Sequence, residues 1–469
     1  MGITRRELVR RAAAAGAAVA VPGWIAQEAP AAAGPWLREL ARAVRGPLYL
    51  PGAAGYGAVA HGDNGRYDGL RPRAVLVAHG AGDVQAAVRW AARHGVRIAA
   101  RSGGHSYAGY STPDGGLVVD LRRLDGIALQ RAGTRAAIGA GARLGRVYAR
   151  LSAHGVSVPA GSCPTVGMGG LAQGGGMGLA GRALGLTCDR VAGLHVVTAD
   201  GRLRHATRGA HADLLWACRG GGGGNFGIVT SFELRTAAVR RAAWFSVSWP
   251  ASQASEALAA WQELMGSAPA ALTSVLSLST GPRISAAGQL LGAESRLPGL
   301  LRPLTRVAGA RLSQGTLGYG AMMRRWAGSA TGRARFSAGS DYLDRPLSAA
   351  GRAAALAAVR RPSGSGILLL DSYGGAINRV AADATAFVHR DALCSIQYLD
   401  YGPIAAGSAW VRAARRALAP HVSGEAYQNY VDPDLAHWRR AYYGSNLARL
   451  EAIKAAVDPH RVFDFAQAI

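Results

Sequence analysis

Apolar and polar positions along this chain follow two periods, one typical of strands and one typical of helices, so the sequence predicts strands and helices in regular succession. The apolar runs at residues 74–78 and 96–100 predict two short strands. Between them, residues 84–93 place apolar side chains on one helical face, with Asp83 as the expected N-cap and Gly95 as the expected stop. We therefore expect a strand, a helix and a second strand in this region.

The same alternation continues to about residue 235. Residues 117–121 and 136–138 predict further strands, and residues 144–154 predict a second helix. Residues 191–198 and 203–206 predict a hairpin around an Asp-Gly turn, and residues 228–234 predict one more strand. The first half of the chain is therefore expected to mix helix and sheet.

Beyond residue 235 the composition shifts towards alanine- and serine-rich helices that alternate with strands. Residues 251–265 predict a helix there, and residues 367–371 predict a strand. The 469 residues exceed one ordinary core, which favours two domains or one large composite unit. A hydrophobic content of 49% with 65 glycines is typical of a turn-rich globular protein and argues against a disordered one.

The net charge of +25 changes this picture little. The basic residues of the chain are almost all arginine, since Lys454 is the only lysine. The arginine pairs are scattered along the sequence. Nucleic-acid binding calls for a basic stripe with interleaved aromatic residues, so that function is disfavoured. Attraction of an acidic substrate or an anionic surface stays open.

The four cysteines also exclude a class of site. Cys163, Cys188, Cys218 and Cys394 contain no C-x-x-C pair, so the sequence predicts neither a zinc site nor a thioredoxin-like redox motif. Cys188 and Cys218 could form a disulfide, but buried free thiols are the favoured interpretation for the cysteines other than Cys163.

The N-terminus predicts export. An Arg5-Arg6 pair, the alanine-rich residues 12–21 and the small residues 31–33 are typical of a Tat-type signal peptide, which we assign to residues 1–33. The Tat export machinery would then be a transient partner. A disordered arginine-rich leader is the alternative. No later run approaches the ~18 apolar residues of a transmembrane helix, so no stable membrane span is expected.

Two glycine-rich loops carry the most informative chemistry. The first reads R-S-G-G-H-S-Y over residues 101–107 and contains His105, and the second reads G-S-C-P-T-V-G-M-G-G over residues 161–170 and contains Cys163. Glycine lets backbone N–H groups approach a phosphate or an aromatic ring, so these loops suit covalent capture of a flavin. Taken singly, such a histidine or cysteine is more often a packed structural residue.

A third glycine run, over residues 220–227, formally satisfies the dinucleotide motif G-x-G-x-x-G. A Rossmann fold needs a helix directly after that motif, with its N-terminus on the pyrophosphate. A β-branched run follows here instead, so the Rossmann interpretation is rejected.

These loops, together with Y-Q-N-Y at residues 427–430, resemble the berberine-bridge-enzyme-like family of flavoprotein oxidases. The resemblance implies an α+β fold, in which a PCMH-type FAD-binding domain is joined to a substrate domain with a large antiparallel sheet covered by helices. It implies an FAD-binding domain at residues 34–235, a substrate domain at residues 236–424, and a C-terminal segment at residues 425–469 that returns to the flavin domain.

The resemblance also implies FAD held by two covalent bonds. The family's histidine, bonded to the flavin 8α-methyl, falls on His105, and its cysteine, bonded through sulfur to ring carbon C6, falls on Cys163. The other residues that the resemblance assigns to cofactor binding are Arg101, Ser102, Gly103, Gly104, Ser106, Gly109, Thr165, Val166, Gly167, Gly169, Gly170, Gly174, Gly175, Gly178, Gly224, Asn225, Gly227, Ile228, Val229, Asn429 and Tyr430.

The catalytic base is expected in the tail. Relatives place a catalytic tyrosine in a Y-x-N-Y stretch, which makes Tyr430 the first candidate and Tyr427 the second. A tyrosine titrates near ~10, so a neighbouring positive charge or hydrogen-bond donor is expected beside it. The glutamate base of some plant members is not expected at Glu425.

Three further residues are candidates by the same resemblance. Tyr373 is similar to a second tyrosine of antibiotic-tailoring members, and Asp371 to an acidic partner in sugar-oxidising members. Gln397 is placed to hydrogen-bond the substrate or the base. Each of them could instead be a structural aromatic or a polar group at a sheet edge.

Together the resemblance implies an oxidase that takes a hydride from an alcohol carbon of a sugar or a glycosylated natural product. Val166 resembles the valine of true oxidases, where a larger leucine shields the flavin from oxygen, so O2 is the expected acceptor and H2O2 the co-product. A dehydrogenase or an oxidative cyclase on the same fold is the alternative. A basic, secreted binding protein without catalysis is a third.

Overall fold

The computed structural model describes residues 34–328, 332–360 and 366–469, so the predicted signal peptide at residues 1–33 lies outside the described residues. The strands are β1 Leu48–Tyr49, β2 Ala74–Val77, β3 Ile98–Arg101, β4 Leu117–Asp120, β5 Ile127–Gln130, β6 Arg135–Gly139, β7 Val156–Ser157, β8 Val191–Val197, β9 Leu203–Thr207, β10 Ile228–Arg235, β11 Ala237–Ala238, β12 Arg241–Pro250, β13 Leu272–Ser279, β14 Arg283–Leu290, β15 Arg311–Gly318, β16 Ser337–Leu343, β17 Gly366–Ser372 and β18 Cys394–Asp400.

The α-helices of the described residues follow the same order. They are α1 Pro35–Ala43, α2 Tyr56–Ala60, α3 Ala81–His94, α4 Leu144–Ser152, α5 Met168–Gln173, α6 Gly181–Leu184, α7 Thr187–Arg190, α8 Ala212–Ala217, α9 Ala254–Ser267, α10 Leu297–Leu300, α11 Arg302–Thr305, α12 Tyr319–Ala327, α13 Ala349–Val359, α14 Ile404–Leu418, α15 Trp438–Tyr443 and α16 Leu447–Val457.

The N-terminal half forms two larger sheets that share one apolar core, and a short antiparallel pair of strands, β7 and β11. The first has the order β1-β2-β4-β3, in which β2, β4 and β3 are parallel and β1 is antiparallel to β2. The second, β5-β6-β10-β8-β9, is wholly antiparallel. The predicted mixture of helix and sheet is therefore confirmed for this half.

Helix α3 begins earlier than the pattern predicts, because Asp83 is not its N-cap. Asp83 lies inside the first turn, and its buried carboxylate accepts 2.8 Å hydrogen bonds from the backbone N–H groups of Arg45, Gly46 and His79. Asp83 was expected to start the helix, but its carboxylate instead binds the backbone of residues 45–46 and of residue 79. That expectation was wrong, since a distant backbone competes for the same carboxylate.

The short-range signals are confirmed. Gly95 ends α3 in the left-handed conformation with φ of 61°, which glycine adopts without a Cβ penalty. The predicted hairpin is β8 and β9, with Gly201 at φ 72° in its turn. Strand β10 follows the glycine run at residues 220–227, as the rejection of a Rossmann motif required.

A seven-stranded antiparallel sheet, ordered β15-β12-β14-β13-β17-β18-β16, carries the second half of the chain. Successive side chains of a strand point to opposite faces. One face places residues such as Leu276, Leu370 and Ile396 in a core with α9, α13 and α14. The opposite face turns towards the N-terminal sheets with the side chains Val275, Ser277, Ser285, Ala287, Leu369, Asp371, Gln397 and Leu399.

The tail returns to the N-terminal half through a buried lysine. Lys454 on α16 donates three hydrogen bonds of 2.7 Å, to the carbonyl oxygens of Asn225 and Phe463 and to the carboxylate of Asp458. Asn225 belongs to the glycine run, and Phe463 to the end of the tail. The only lysine of the chain therefore fixes two segments that line one cavity.

Among the described residues, no helix combines the length and the apolar character that crossing a bilayer requires. Cys188, Cys218 and Cys394 are buried free thiols, as expected, and Cys163 is a partly exposed free thiol.

Candidate active site

A cavity of about 1100 Å³ lies between the N-terminal sheets and the polar face of the seven-stranded sheet. Most small-molecule pockets measure ~300–1,000 Å³, so this cavity lies just above the large end of that range. Its walls come from both glycine-rich loops, the glycine run at residues 220–227, strands of the large sheet and the tail. The site is thus assembled from segments far apart in the sequence.

The two glycine-rich loops meet backbone to backbone. A Cβ on Gly103 would lie 2.3 Å from the backbone nitrogen of Gly167, and a Cβ on Gly167 would lie 1.9 Å from Oγ of Ser102. Real Cβ atoms do not come this close to other heavy atoms, so only glycine permits the contact. The close approach is what brings His105 and Cys163 together.

Thr165 lies between the two predicted tethers. Its hydroxyl is 2.9 Å from Nε2 of His105 and 3.3 Å from Sγ of Cys163. On the other side of the imidazole, Nδ1 of His105 is 3.3 Å from a carboxylate oxygen of Asp63. Burial lowers the pKa of His105, with Asp63 opposing that effect, so the ring is neutral at neutral pH. Both nucleophiles therefore face one end of the cavity.

The cavity contains space that the protein does not fill. Gly170 lines it, and a Cβ added there would meet no atom within 4 Å. The predicted cofactor residues that line the cavity with it are Ser102, Gly103, Gly104, His105, Ser106, Gly109, Cys163, Thr165, Val166, Gly167, Gly169, Gly178, Gly224, Asn225, Gly227, Ile228, Val229, Asn429 and Tyr430. These residues fit a flat ring system bound against bare backbone.

Three predicted cofactor residues are placed behind this lining. The guanidinium of Arg101 is buried 3.1 Å from the carboxylate of Asp120, beneath the histidine loop. A Cβ on Gly174 would lie 2.0 Å from Oδ1 of Asn429, and a Cβ on Gly175 would lie 2.8 Å from the ring of Phe387. These three residues support the loops that form the cavity wall.

Tyr430, Asp371 and Gln397 line the cavity together, on the sheet and tail side. The ring of Tyr430 stacks on that of Tyr107, with ring centroids 5.4 Å apart and planes 6° from parallel. The amide of Gln397 donates a 2.6 Å hydrogen bond to the hydroxyl of Tyr107. Gln397 is therefore hydrogen-bonded directly to one ring of the stacked pair Tyr107 and Tyr430.

Asp371 has the properties of a proton acceptor at neutral pH. Burial raises the pKa of Asp371 to about 7. Its Oδ2 atom is buried and, within the described part of the chain, has no hydrogen-bond partner. Because buried polar atoms nearly always have a hydrogen-bond partner, we expect a ligand or a proton donor to bind this oxygen.

Tyr430 lacks the positive charge that the sequence led us to expect. Burial and the neighbouring charge of Asp371 both raise the pKa of Tyr430 well above 10. An ionised phenolate is therefore not available at neutral pH. A neutral phenol can serve in proton transfer only by giving its own proton to an acceptor while it takes another, and Asp371 is the carboxylate within its electrostatic reach.

The other candidate tyrosines are held by the protein itself. The hydroxyl of Tyr427 accepts hydrogen bonds from the backbone N–H groups of Gly176 at 2.8 Å and Met177 at 3.2 Å, and from the Asn429 amide at 2.9 Å. Tyr373 is fully buried behind the cavity wall, in an aromatic cluster that also contains Tyr427 and against which Tyr430 packs.

Tyr373 and Glu425 are likewise bonded to other protein side chains, outside the cavity. The hydroxyl of Tyr373 lies 3.1 Å from that of Tyr342. Glu425 lies 2.7 Å from Nδ1 of the buried His389, outside the cavity, and this contact lowers its pKa. The structure thus separates Tyr430 and Asp371, which face the cavity, from Tyr373 and Glu425, which do not.

The side chains of the cavity that sequence reasoning missed include Asp63, Tyr107, Phe336 and Tyr401. Tyr107 could have been found, since it lies two residues after His105 in the same loop. Asp63 carried no local signal. Its backbone N–H bonds the carbonyl of Gly104 at 2.8 Å, a contact between distant segments that only the fold reveals.

Two family descriptions match the chain: an FAD binding domain over residues 72–207 and a berberine and berberine like domain over residues 426–469. The chain is 34% identical over 418 residues to an uncharacterized FAD-linked oxidoreductase of Bacillus subtilis, covering 85% of this chain and 91% of that protein. It is 33% identical over 433 residues to chitooligosaccharide oxidase of Gibberella zeae, covering 85% and 87%. The chain belongs to the berberine-bridge-enzyme-like family.

The chain is also similar to the aclacinomycin-N/aclacinomycin-A oxidase of Streptomyces galilaeus. It is 31% identical over 487 residues, covering 88% of this chain and 87% of that protein. The solved structure of Physcomitrella patens BBE-like 1 covers 92% of this chain and 98% of its own, at 30% identity and a TM-score of 0.88. The protein is thus an FAD-linked oxidoreductase, with the predicted fold class confirmed.

A further solved neighbour is a grass pollen allergen with glucose dehydrogenase activity, at 27% identity and a TM-score of 0.84, covering 92% of this chain and 99% of its own. A variant of that protein with two substitutions, a glucose oxidase, matches at the same identity and TM-score. Oxidase and dehydrogenase activities therefore occur on closely similar structures.

Proposed function

We propose that this protein is an oxidase with FAD bonded to both His105 and Cys163, which removes a hydride from an alcohol carbon of a sugar or a glycosylated natural product and reduces O2 to H2O2. The observation that carries the proposal is the convergence of His105 and Cys163 on one hydroxyl, that of Thr165, in a cavity that Tyr430 and Asp371 also line.

FAD would supply the hydride acceptor and pass the electrons on to oxygen. The glycine-rich loops would hold it, with the tethers fixing the ring and leaving the groove open for a bulky substrate. Tyr430 would take the proton of the reacting hydroxyl while passing its own proton to Asp371. Gln397, held through Tyr107, would orient the substrate hydroxyl.

The Asp371 acceptor has a measurable pH signature. Because Asp371 must be ionised to receive the proton, kcat/KM should fall as the pH falls through about 7, the pKa of that carboxyl. Replacing the carboxylate in Asp371→Asn should lower kcat/KM by ~10²–10⁴-fold and remove this inflection. A pH profile that is identical in both proteins would contradict the assignment.

The choice of oxygen as acceptor rests on Val166. This side chain lines the cavity two residues after the proline that follows Cys163. A γ-branched leucine could fill the small space beside the ring where oxygen must sit. Oxidase and dehydrogenase forms of the pollen protein support the idea that few residues decide between the two activities on this fold.

We therefore expect Val166→Leu to slow reoxidation of the reduced enzyme by air, by ~10–200-fold if the added methylene acts like one in other tight pockets. Stopped-flow absorbance of the pre-reduced enzyme mixed with aerated buffer measures this rate. Val166→Ala is the matched control and should keep fast reoxidation. Sluggish reoxidation of the unsubstituted enzyme would favour a dehydrogenase.

The substrate class is proposed from two lines of support. Chitooligosaccharide oxidase and aclacinomycin-N/aclacinomycin-A oxidase name a saccharide and a natural product respectively. In this chain, the sheet face opposite the tethers carries serines, a glutamine and a carboxylate among apolar side chains, which suits a hydroxylated ring. Export by the Tat pathway, from residues 1–33, stays part of the proposal, and cell fractionation with and without the Arg5-Arg6 pair tests it.

Intact mass under denaturing conditions tests the proposal directly. We expect the polypeptide mass plus one FAD, and H2O2 formation with members of a panel of sugars and polyketide glycosides. A polypeptide free of flavin would overturn covalent attachment. Flavin that is reduced by a substrate without peroxide formation would favour the dehydrogenase or cyclase alternative.

A further inference from the structure

Thr165 contacts the side chains of both tethers. Its single hydroxyl proton can point to only one of its two neighbours, Nε2 of His105 at 2.9 Å or Sγ of Cys163 at 3.3 Å. A neutral imidazole has one acceptor nitrogen and one N–H. With Asp63 beside Nδ1, the N–H faces the carboxylate, and Nε2 is left as the acceptor for the threonine.

In this arrangement the oxygen of Thr165 is free to accept the S–H of Cys163. A continuous path then runs from sulfur to the threonine oxygen, from the threonine O–H to Nε2, and from Nδ1–H to Asp63. The imidazole is neutral at neutral pH because burial lowers the pKa of His105, so its acceptor nitrogen is ready. The negative charge of Asp63 would stabilise the imidazolium that forms.

We propose that Thr165, His105 and Asp63 form a proton relay that takes the thiol proton of Cys163 while both ring nitrogens of His105 are still free, so that the sulfur bond forms before the histidine bond. Thr165 and His105 transfer the proton, and Asp63 is a positioning residue that fixes the imidazole tautomer. The proposal rests on the bicovalent attachment proposed above. It adds that the two tethers are coupled, since the histidine assists the cysteine through the threonine.

The attachment of the cysteine balances with oxygen as the oxidant. Cys163 loses its S–H proton, the flavin carbon C6 loses one hydrogen, and a sulfur–carbon bond forms. The two electrons and two protons released reduce O2, the acceptor of the proposed oxidase, to H2O2. The relay serves only the first of these events, because the thiolate rather than the thiol is the nucleophile.

Thr165→Val and Thr165→Ser form a matched pair that tests the relay. Valine keeps the shape of threonine without the hydroxyl, and serine keeps the hydroxyl. Trypsin should release His105 in residues 102–122 and Cys163 in residues 151–182, since arginine precedes and ends both segments. Mass spectrometry of these peptides therefore reports each bond separately, without reference to activity.

We expect both peptides joined through one flavin in the unsubstituted enzyme and in Thr165→Ser. In Thr165→Val, flavin should stay on residues 102–122, and attachment to residues 151–182 in air should slow by ~10²–10⁴-fold, the usual loss for a missing acid–base step. Asp63→Asn should slow the same bond to a smaller extent. Flavin on residues 102–122 also shows that each variant folds.

Alkaline buffer provides a second readout. Free cysteine titrates near ~8.5, so incubating Thr165→Val at pH ~9.5 should restore attachment of Cys163 without the relay. The groups that face the sulfur and the imidazole, besides Thr165, are Asp63, Tyr107, Arg143 and Tyr401. Of these, the two tyrosines have pKa values raised by burial, which keeps them neutral in this range.

The outcomes separate the relay from the function on which it rests. Equal attachment of Cys163 in Thr165→Val and the unsubstituted enzyme would overturn the relay and leave the bicovalent oxidase intact. Loss of attachment in Thr165→Val that alkaline buffer does not restore would also overturn it, by showing a purely structural role. An unsubstituted enzyme with no flavin on residues 151–182 would overturn both.

Discussion

Replacing Tyr430 by phenylalanine should lower the rate of flavin reduction by ~10²–10⁴-fold, the range expected when a positioned proton acceptor is removed. The phenol faces the cavity, stacks on Tyr107 and lies within the electrostatic reach of Asp371. Phenylalanine keeps the ring and its stacking, so the amount of bound flavin should not change. Anaerobic stopped-flow absorbance measures the reduction step, and a denatured sample measures the flavin content.

Tyr427→Phe is the matched control for this prediction. Its hydroxyl accepts two backbone N–H bonds and one amide bond, and removing it leaves these donors unpaired at a cost of ~1–3 kcal/mol each. We expect a lower Tm with flavin reduction close to normal. Normal reduction in Tyr430→Phe, or a larger loss in Tyr427→Phe, would move the proton transfer to the other tyrosine.

The comparison of these two tyrosines shows where sequence reasoning stops. The Y-Q-N-Y motif places both residues in the tail, and nothing in its letters distinguishes them. The structure does, because both rings line the cavity but the Tyr427 hydroxyl is already bonded by two backbone N–H groups and the Asn429 amide. The motif predicts the segment, and packing assigns the role.

Local signals were sufficient wherever a residue meets its partner within a few positions. The end of helix α3 at Gly95 and the Asp-Gly turn at Gly201 both need φ values above zero. A glycine in the sequence signals such a position, because glycine adopts positive φ readily. Asp83 failed for the converse reason, since its partners are loops up to 38 residues away. Asp63 and the relay contact it makes with His105 could not be predicted, because the contact joins segments that only the folded chain brings together.

Asp371 is an intermediate case. Its position on a strand was predicted, and alternation along β17 then fixes which residues share its face. Whether that face meets helices or a cavity depends on which sheet packs against it. The raised pKa and the unpaired Oδ2 follow from this packing, so the chemistry of Asp371 is a property of the assembled sheets rather than of the motif D-S-Y-G-G.

Removing both tethers should abolish covalent flavin, whereas removing one should not. We expect Cys163→Ala to keep flavin on His105. We expect His105→Ala to keep it on Cys163 with lower occupancy, since the relay is then broken. Loss of a bond should also lower the flavin potential, and a drop of ~30 mV in a two-electron couple corresponds to ~tenfold in the equilibrium of reduction. Intact mass and a redox titration measure the two effects.

The double variant His105→Ala with Cys163→Ala decides whether these side chains are the attachment points. Its flavin should separate from the denatured chain, and its cavity should still bind free FAD, because the glycine-lined wall is unchanged. Cys188→Ala with Cys394→Ala is a control for cysteine loss, since both of those thiols are buried away from the cavity. A double tether variant that retains bound colour after denaturation would require a third nucleophile, and Tyr107, beside the same loop, would be the first to examine.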